Sequence, residues 1–199
     1  MLDVLKRYNF WDKDVSGCGI LRESYLEKLS KMEASKSIIT VMGGRRVGKS
    51  IIVRQFIRHL IEKGINPETV FYANMFVQDI DFLKDRKVFK QALDLWKKHF
   101  RFSKKERLFV VIDEIQKLPA LLDEVHLLIE KLGINFLLTG SSARKLRRGG
   151  VNLLGGRARS QSLHPFVFQE LKDFDLLRAL NYGLIPSIYF SNFPEEDLI

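Results

Sequence analysis

The chain has 199 residues, 46% hydrophobic and 29% charged, which is enough for one α/β domain with a true core and a small appendage. Its single cysteine, Cys18, excludes an internal disulfide and a multi-cysteine zinc site. Because the sequence has neither a membrane-spanning apolar run nor the apolar core of a signal peptide, we expect a cytoplasmic protein. The net charge of +9 favours a polyanionic partner, whether nucleotide, nucleic acid or an anionic surface, without choosing among them.

Compact apolar runs alternate with longer amphipathic stretches, and this alternation predicts βαβ units around a mostly parallel sheet. The N-terminal segment is expected to hold a short helix and a second helix from Leu21. Predicted strands cover residues 37–42, 70–73, 108–112 and 134–139, and predicted helices cover residues 51–63, 80–100, 121–132 and 168–180. Residues 144–160 are basic and glycine-rich and are expected to be irregular, and residues 181–199 resemble a connector.

The strongest motif is GGRRVGKS at residues 43–50, which matches G-x-x-x-x-G-K-[ST] between a predicted strand and a predicted helix. Its glycines permit backbone angles that turn successive N–H groups inward as a nest for phosphate. The helix that follows adds free N–H groups and the positive end of its dipole. We expect a bound nucleotide, ATP or ADP, to lie against Gly43, Gly44, Arg45, Arg46, Val47, Gly48, Lys49, Ser50 and Ile51.

Within this loop, two side chains have predicted catalytic or metal-binding roles. Lys49 is expected to reach the β- and γ-phosphates, and the Ser50 hydroxyl is expected to bind a magnesium ion. Arg45 and Arg46 occupy variable positions of the motif and need not touch phosphate.

The predicted strand FVVID is followed directly by Glu114, so two carboxylates stand at its end in the manner of a Walker B motif. Because parallel strands open their carboxyl ends at one edge of the sheet, these acids are expected beside the phosphate loop. Asp113 is the predicted magnesium residue, acting through a water, and Glu114 is the predicted catalytic base that polarises the attacking water. The alternative is a strand that simply ends in solvated acids.

The fourth predicted strand ends in small polar residues, and this end, LLTGSSARKL, resembles the strand end of AAA-type and related P-loop ATPases. By that resemblance Thr139 or Ser141 is the sensor residue that hydrogen-bonds the attacking water or the γ-phosphate; a turn rich in small residues is the alternative. Residues 144–159 carry six basic side chains and no acid. Arg157 is the candidate for an arginine that stabilises the γ-phosphate, within the chain or on a neighbour. A solvated basic loop and a contact to a DNA backbone remain alternatives.

A second basic segment, residues 97–107, interleaves lysines and arginines with Phe100 and Phe102. Such a segment can bind single-stranded nucleic acid, and a solvated helix end that complements the helix dipole is the alternative.

The whole pattern resembles one family. GGRRVGKS, VVIDEIQKLP, LLTGSSARKL, a GGRAR segment, LHPFVFQEL and a final YGLIP are similar to archaeal and bacterial AAA-type ATPases related to signal-transducing NTPases. The resemblance implies an α/β P-loop NTPase three-layer sandwich with strand order 5-1-4-3-2, and it places Gln116 near the nucleotide. Members of the family usually continue into winged-helix and nuclease-like C-terminal domains.

These observations lead to three segments: a helical segment at residues 1–35 that packs on the core, the P-loop ATPase domain at 36–180, and a connector at 181–199 toward C-terminal domains that this sequence lacks. The predicted function is hydrolysis of Mg-ATP to drive a conformational switch, with ATP preferred over GTP by resemblance only. A nucleotide-binding switch without turnover and a DNA-binding protein regulated by nucleotide are the alternatives. DNA, a second copy of the chain and another protein are candidate partners; no membrane is expected.

Overall fold

The computed structural model describes residues 1–9, 18–34, 38–102, 106, 108–118, 121, 125, 128–129, 134–140 and 158–197. Its helices are α1 (Leu2–Arg7), α2 (Glu23–Glu33), α3 (Lys49–Glu62), α4 (Arg86–Phe100), α5 (Leu176–Tyr182), α6 (Pro186–Tyr189) and α7 (Pro194–Asp197). Its strands are β1 (Ile38–Gly43), β2 (Val70–Asn74), β3 (Phe109–Asp113), β4 (Asn135–Gly140) and β5 (Ala158–Leu163). Short 3-10 helices cover Pro67–Thr69, Gln78–Lys84, Ile115–Lys117 and Phe168–Glu170, and Leu121, Val125, Leu128 and Ile129 are also helical.

The five strands form one sheet in the order β2-β3-β4-β1-β5, and every neighbouring pair is parallel. Read from the other edge this is the predicted order 5-1-4-3-2, which is confirmed. Strand β4 lies between β1 and β3, so its end stands between the phosphate loop after β1 and the acidic pair at the end of β3. The topology therefore brings three sequence-distant motifs to one edge of the sheet.

The sheet is covered on both faces, and the alternation of side chains along β1 shows the division. Ile38 and Met42 belong to the apolar cluster that includes α1 and α4, whereas Ile39 and Val41 belong to the cluster that includes α2 and α3. On the α4 side, the Phe71 ring packs edge-on against Trp96 with centroids 5.5 Å apart. Burial on both faces explains why the central strands read as continuous apolar runs.

The outer edge of β2 is covered by Asn9, which follows α1. Its side-chain amide donates to the carbonyl oxygen of Tyr72 at 3.0 Å and accepts from the Tyr72 N–H at 2.5 Å. One side chain thus satisfies the N–H and C=O groups of Tyr72 that a further strand could otherwise pair with, which protects the edge at this position.

Two predicted helices have different boundaries in the structure. The predicted helix 80–100 is a 3-10 helix followed by α4, because Asp85 accepts hydrogen bonds from the N–H groups of Lys87 and Val88 and starts a new helix. The predicted helix 168–180 is a 3-10 helix at Phe168–Glu170 and an α-helix, α5, from Leu176, so the prediction is wrong over residues 171–175. Asp175 caps α5 by accepting the Arg178 N–H at 2.9 Å.

The region expected to be irregular and the expected connector also hold regular structure. Residues 158–160 belong to β5, and residues 144–157 lie outside the described part of the chain. Strand β5 reads ARSQSL and is mostly exposed, so it lacks the apolar run by which the other strands were predicted. Helices α6 and α7 lie within 181–199. The segment boundaries at residues 35 and 180 stay predictions.

Candidate functional site

The loop between β1 and α3 depends on glycine at two positions. A Cβ on Gly43 would lie 2.5 Å from the carbonyl oxygen of Leu163 in β5, so no side chain fits there. Gly48 precedes α3 with φ of 94°, in the left-handed region that other residues rarely adopt. The chain can therefore turn sharply out of the sheet and enter the helix at once.

The N-terminus of α3 faces the loop as an uncapped helix end. Within the described residues no side chain caps it, and its first turn contains no acidic residue. The first N–H groups of a helix lack intrahelical partners, and together with the helix dipole they favour an anion. This end of α3 therefore has the electrostatic character of a phosphate site.

Lys49 crosses from the loop toward the acidic pair. Its buried ammonium donates to the carbonyl oxygens of Gly43 at 3.2 Å and Gly44 at 2.8 Å. The same Nζ lies 3.8 Å from Oε1 of Glu114. The lysine predicted to bind phosphate and the glutamate predicted to act as base are thus brought together across the sheet edge.

Asp113 is fully buried and both of its carboxylate oxygens accept hydrogen bonds. The Tyr72 hydroxyl donates to Oδ2 at 3.1 Å, and the Thr139 hydroxyl donates to Oδ1. Burial, and after it the charge of Asp113, raise the pKa of Tyr72 above its ordinary value, so this tyrosine stays a neutral donor. The carboxylate is held in one orientation by two neighbouring strands.

Thr139 also fixes Glu114, because its hydroxyl oxygen accepts the Glu114 N–H at 2.9 Å. With no exposed surface, the Thr139 hydroxyl is engaged by both acidic residues. Its observed contacts are those of a residue that orients the acidic pair. Ser141 and Arg157, the other sensor and arginine candidates, lie outside the described residues.

Glu114 itself has a backbone φ of 65°, which is uncommon for a residue with a side chain and typical of functional sites. Its carboxylate stands between two donors: Lys49 on one oxygen and the Gln116 amide, which donates to Oε2. Gln116, expected near the nucleotide, is thus joined directly to the predicted base.

The remaining loop residues divide by exposure. Arg45 and Arg46 are exposed, and Arg46 donates to the carbonyl oxygen of Asp197 at 2.6 Å. Val47 is buried in the core, and Ser50 and Ile51 are partly buried in the first turn of α3. The loop thus contacts the C-terminal helix α7 through an arginine side chain.

A mostly apolar cavity of about 370 Å³ opens beside the loop, and sequence reasoning missed it. Three segments line it: Gly19, Ile20 and Arg22 before α2; Val47, Gly48 and Ile51 at the loop; and Phe166, Pro186 and Phe190 near the C-terminus. The LHPF and YGLIP stretches, which contain the lining residues Phe166 and Pro186, were noted only as part of the family resemblance. No periodicity could have joined segments so distant in the chain.

Arg22 fastens the N-terminal wall of this cavity to the C-terminal wall. Its buried guanidinium donates to both oxygens of Glu170, at 2.7 and 2.8 Å, and to the carbonyl oxygen of His164 at 3.0 Å. It also stacks over the rings of Tyr25 and Phe166, at 4.4 and 5.0 Å from their centroids. A bidentate, desolvated pair of this kind fixes geometry strongly.

Two oxygen-bearing side chains, Ser50 in the first turn of α3 and Asp113 at the end of β3, have the chemistry that magnesium prefers. Among the described residues no group of three or more His, Cys, Asp or Glu side chains is placed to hold a metal. Magnesium prefers oxygen ligands, keeps several waters, and is commonly held by one or two protein oxygens together with substrate phosphates. The Ser50 hydroxyl and the Asp113 carboxylate are such oxygens.

A family model described as an AAA domain matches residues 35–172. The chain belongs to the AAA domain family. An uncharacterised protein of Haemophilus influenzae is 28% identical over 192 residues, which cover 90% of this chain and 47% of that protein. The chain therefore spans about half the length of this relative.

Two solved structures share the fold of this AAA domain. The Orc1 protein of Aeropyrum pernix, solved in complex with DNA, superposes with a TM-score of 0.58 at 16% identity, covering 84% of this chain and 52% of that one. A Walker-type ATPase of Pyrococcus abyssi gives 0.58 at 16% identity, with 85% and 65% covered. Family and fold together make this a nucleotide-binding domain of AAA type with the P-loop NTPase architecture.

Across the described residues, no helix is both long and apolar enough to cross a bilayer.

Proposed function

We propose that this AAA domain binds Mg-ATP at the loop between β1 and α3 and hydrolyses it to drive a conformational switch. The observation that carries the proposal is the pairing of Lys49 with Glu114, 3.8 Å apart beside the start of α3, which no side chain in the described part of the chain caps. A cation for the phosphates and a carboxylate for the attacking water meet at a helix end that favours anions.

In this proposal the loop N–H groups and Lys49 bind the β- and γ-phosphates. Ser50 and Asp113 hold the magnesium ion, which supplies positive charge to the phosphate oxygens when bound. The phosphates replace Glu114 and the two loop carbonyls as partners of Lys49. The Glu114 carboxylate is then available to orient a water and accept its proton.

The apolar cavity beside the loop is the proposed site of the nucleotide base. It is continuous with the loop, since Val47 and Gly48 form part of its lining, and its apolar walls suit the faces of a planar base. A preference for adenine is part of the proposal and rests on the family.

Thr139 is assigned the role of holding Asp113 and Glu114 in place, because its hydroxyl is engaged by both. The sensor contact to the γ-phosphate is therefore assigned to Ser141, and Arg157 keeps its proposed role toward the same group.

The proposed switch arises because one ligand would touch segments that are far apart in the chain. The apolar cavity beside the loop is lined in part by Pro186 and Phe190, and the loop residue Arg46 donates a hydrogen bond to the carbonyl oxygen of Asp197. Binding or loss of nucleotide would therefore change the contacts of residues 164–197 directly.

The test is steady-state release of phosphate from Mg-ATP, with Lys49→Ala and Glu114→Gln compared with the exposed-site variants Lys63→Ala and Glu27→Gln. Lys49→Ala should lose nucleotide binding and turnover, and Glu114→Gln should bind nucleotide but lose turnover by about 10²-fold or more. Turnover unaffected by Glu114→Gln would refute the assigned chemistry.

Adding duplex DNA to the same assay tests the DNA-regulated alternative, which predicts stimulation that declines steeply with salt.

A further inference from the structure

The side chain of Gln55 on α3 is buried and uses its amide fully on one short segment of backbone. Its Nε2 donates to the carbonyl oxygens of Cys18 at 2.5 Å and Ile20 at 2.7 Å, and its Oε1 accepts the Arg22 N–H at 3.3 Å. A glutamine amide has two donor hydrogens and one acceptor oxygen, and all three take part in these hydrogen bonds. One helix side chain therefore replaces a strand partner for residues 18–22.

These residues form the N-terminal wall of the cavity beside the phosphate loop. Gly19, Ile20 and Arg22 line the cavity, and the segment has neither helical nor strand structure before α2 begins. Gly19 has a φ of 60°, and a Cβ placed on it would contact Ile51 at 3.6 Å. The wall thus lies directly against the first turn of α3.

Gln55 lies one helical turn beyond Ile51, so both residues share the face of α3 that meets this wall. The same helix begins at the phosphate loop. The position of the wall relative to the phosphate site is therefore set within a single rigid element.

The opposite end of the wall is fixed independently by the Arg22 side chain, which binds Glu170 and the carbonyl oxygen of His164. Without Gln55 the carbonyl oxygens of Cys18 and Ile20 would lose the two Nε2 hydrogens, and the Arg22 N–H would lose its Oε1 acceptor, so the segment would be held less firmly against α3. Because Gly19, Ile20 and Arg22 line the cavity, a shift of this segment would change the shape of the cavity.

We infer that Gln55 is a positioning residue for the nucleotide base: it holds residues 18–22 against α3 and so keeps the cavity open for a planar heterocycle. The inference rests on the proposed function, in which the phosphates occupy the loop and the base occupies this cavity. Gln55 is therefore expected to affect binding of the base and to leave binding of the phosphates unchanged.

The experiment compares ADP with inorganic tripolyphosphate, which carries phosphates and no base, by calorimetric titration of the folded protein. In Gln55→Leu, which keeps the volume and removes all three hydrogen bonds, ADP affinity should fall about tenfold or more while tripolyphosphate affinity changes less than about twofold. Gln91→Leu, the same change at an exposed position of α4, should alter neither ligand.

Two further measurements keep the test independent of how well Gln55→Leu folds. Gln55→Glu retains the acceptor for the Arg22 N–H and should show the same selective loss for ADP. In the unaltered protein, ADP should slow amide hydrogen exchange at residues 19–22, whereas tripolyphosphate should not.

Equal weakening of both ligands, or unchanged ADP affinity in folded Gln55→Leu, overturns the inference and leaves the proposed function standing. If the unaltered protein binds neither ligand, or if Lys49→Ala binds tripolyphosphate as well as the unaltered protein does, the proposed function fails and this inference fails with it.

Discussion

The ammonium of Lys49 lies 3.8 Å from the Glu114 carboxylate while it also donates to the carbonyl oxygens of Gly43 and Gly44. Lys49 is thus held at the loop by three oxygens, and one of them belongs to the proposed catalytic base. In the proposed mechanism, a bound γ-phosphate competes with that carboxylate for the lysine. Nucleotide binding and activation of the proposed base would then be coupled through this one side chain.

Glu114→Gln should therefore bind ATP more tightly than the unaltered protein. The change removes the carboxylate that competes for Lys49 and the negative charge that would face the γ-phosphate, so we expect about two- to fivefold higher affinity. Equilibrium titration with Mg-ATP measures this, with the exposed-site variant Glu27→Gln as control. Weaker binding would show that Glu114 supports the ligand directly.

Thr139→Val should destabilise the protein and reduce turnover. The change keeps the shape of the side chain but leaves the buried Glu114 N–H without its acceptor and Asp113 without one donor, at a cost of about 1–3 kcal/mol in unfolding free energy. Urea denaturation and phosphate release measure the two effects. Thr139→Ser keeps the hydroxyl and should recover most of both; equal loss in the two variants would show that the methyl group matters instead.

Gly43→Ala should destabilise the fold by about 1–3 kcal/mol, because its Cβ would meet the Leu163 carbonyl at 2.5 Å and the Val47 side chain at 2.9 Å. The matched control is Gly44→Ala, whose Cβ would lie 3.6 Å from Val47 in ordinary contact. Thermal or urea unfolding without nucleotide separates the two. Equal stability of both variants would contradict the close packing of β1 against β5.

Tyr72 should make the protein less stable at alkaline pH. Its pKa is raised in the folded state above the ordinary 10.0, so above that pH the unfolded chain releases the tyrosine proton while the folded chain retains it. The unfolded state then binds fewer protons, and stability falls as pH rises, by up to about 1.4 kcal/mol per pH unit from this group. Below pH 10.0 both states are protonated and the effect vanishes.

Tyr72→Phe is the variant that checks this dependence. Its unfolding free energy should fall less steeply above pH 10 than that of the unaltered protein, as measured by urea denaturation at a series of pH values. Parallel curves for the two proteins would show that the hydroxyl titrates normally.

Arg22→Met should destabilise the protein by about 3 kcal/mol or more, because it leaves the Glu170 carboxylate largely buried without its cation. The comparison is Arg58→Met, which removes the exposed pair of Arg58 with Glu62 and should cost less than about 0.5 kcal/mol. A double variant, Arg22→Met with Glu170→Gln, should recover part of the loss. Similar costs for the buried and exposed pairs would contradict the role given to Arg22.

The sequence alone determined the loop, the acidic pair and the type of sheet. Residues 43–50 form a contiguous motif whose strand and helix are read from local apolar patterns, and the run before Asp113 ends in its carboxylates without help from distant residues. The order of the strands came from resemblance to a family. The loop, the acidic pair and the type of sheet are predictable because local apolar patterns along the chain determine them.

Tertiary structure alone decided which polar side chains pair. The burial of Thr139 between Asp113 and Glu114, the bonds of Gln55 to residues 18–22, and the pairing of Arg22 with Glu170 join residues that are 25 or more positions apart. Strand β5 likewise gained its place from pairing with β1, since its own residues carry no apolar pattern. Periodicity reports where a side chain is buried, but a buried polar group is stabilised only by its specific partner, and that partner is chosen by the fold.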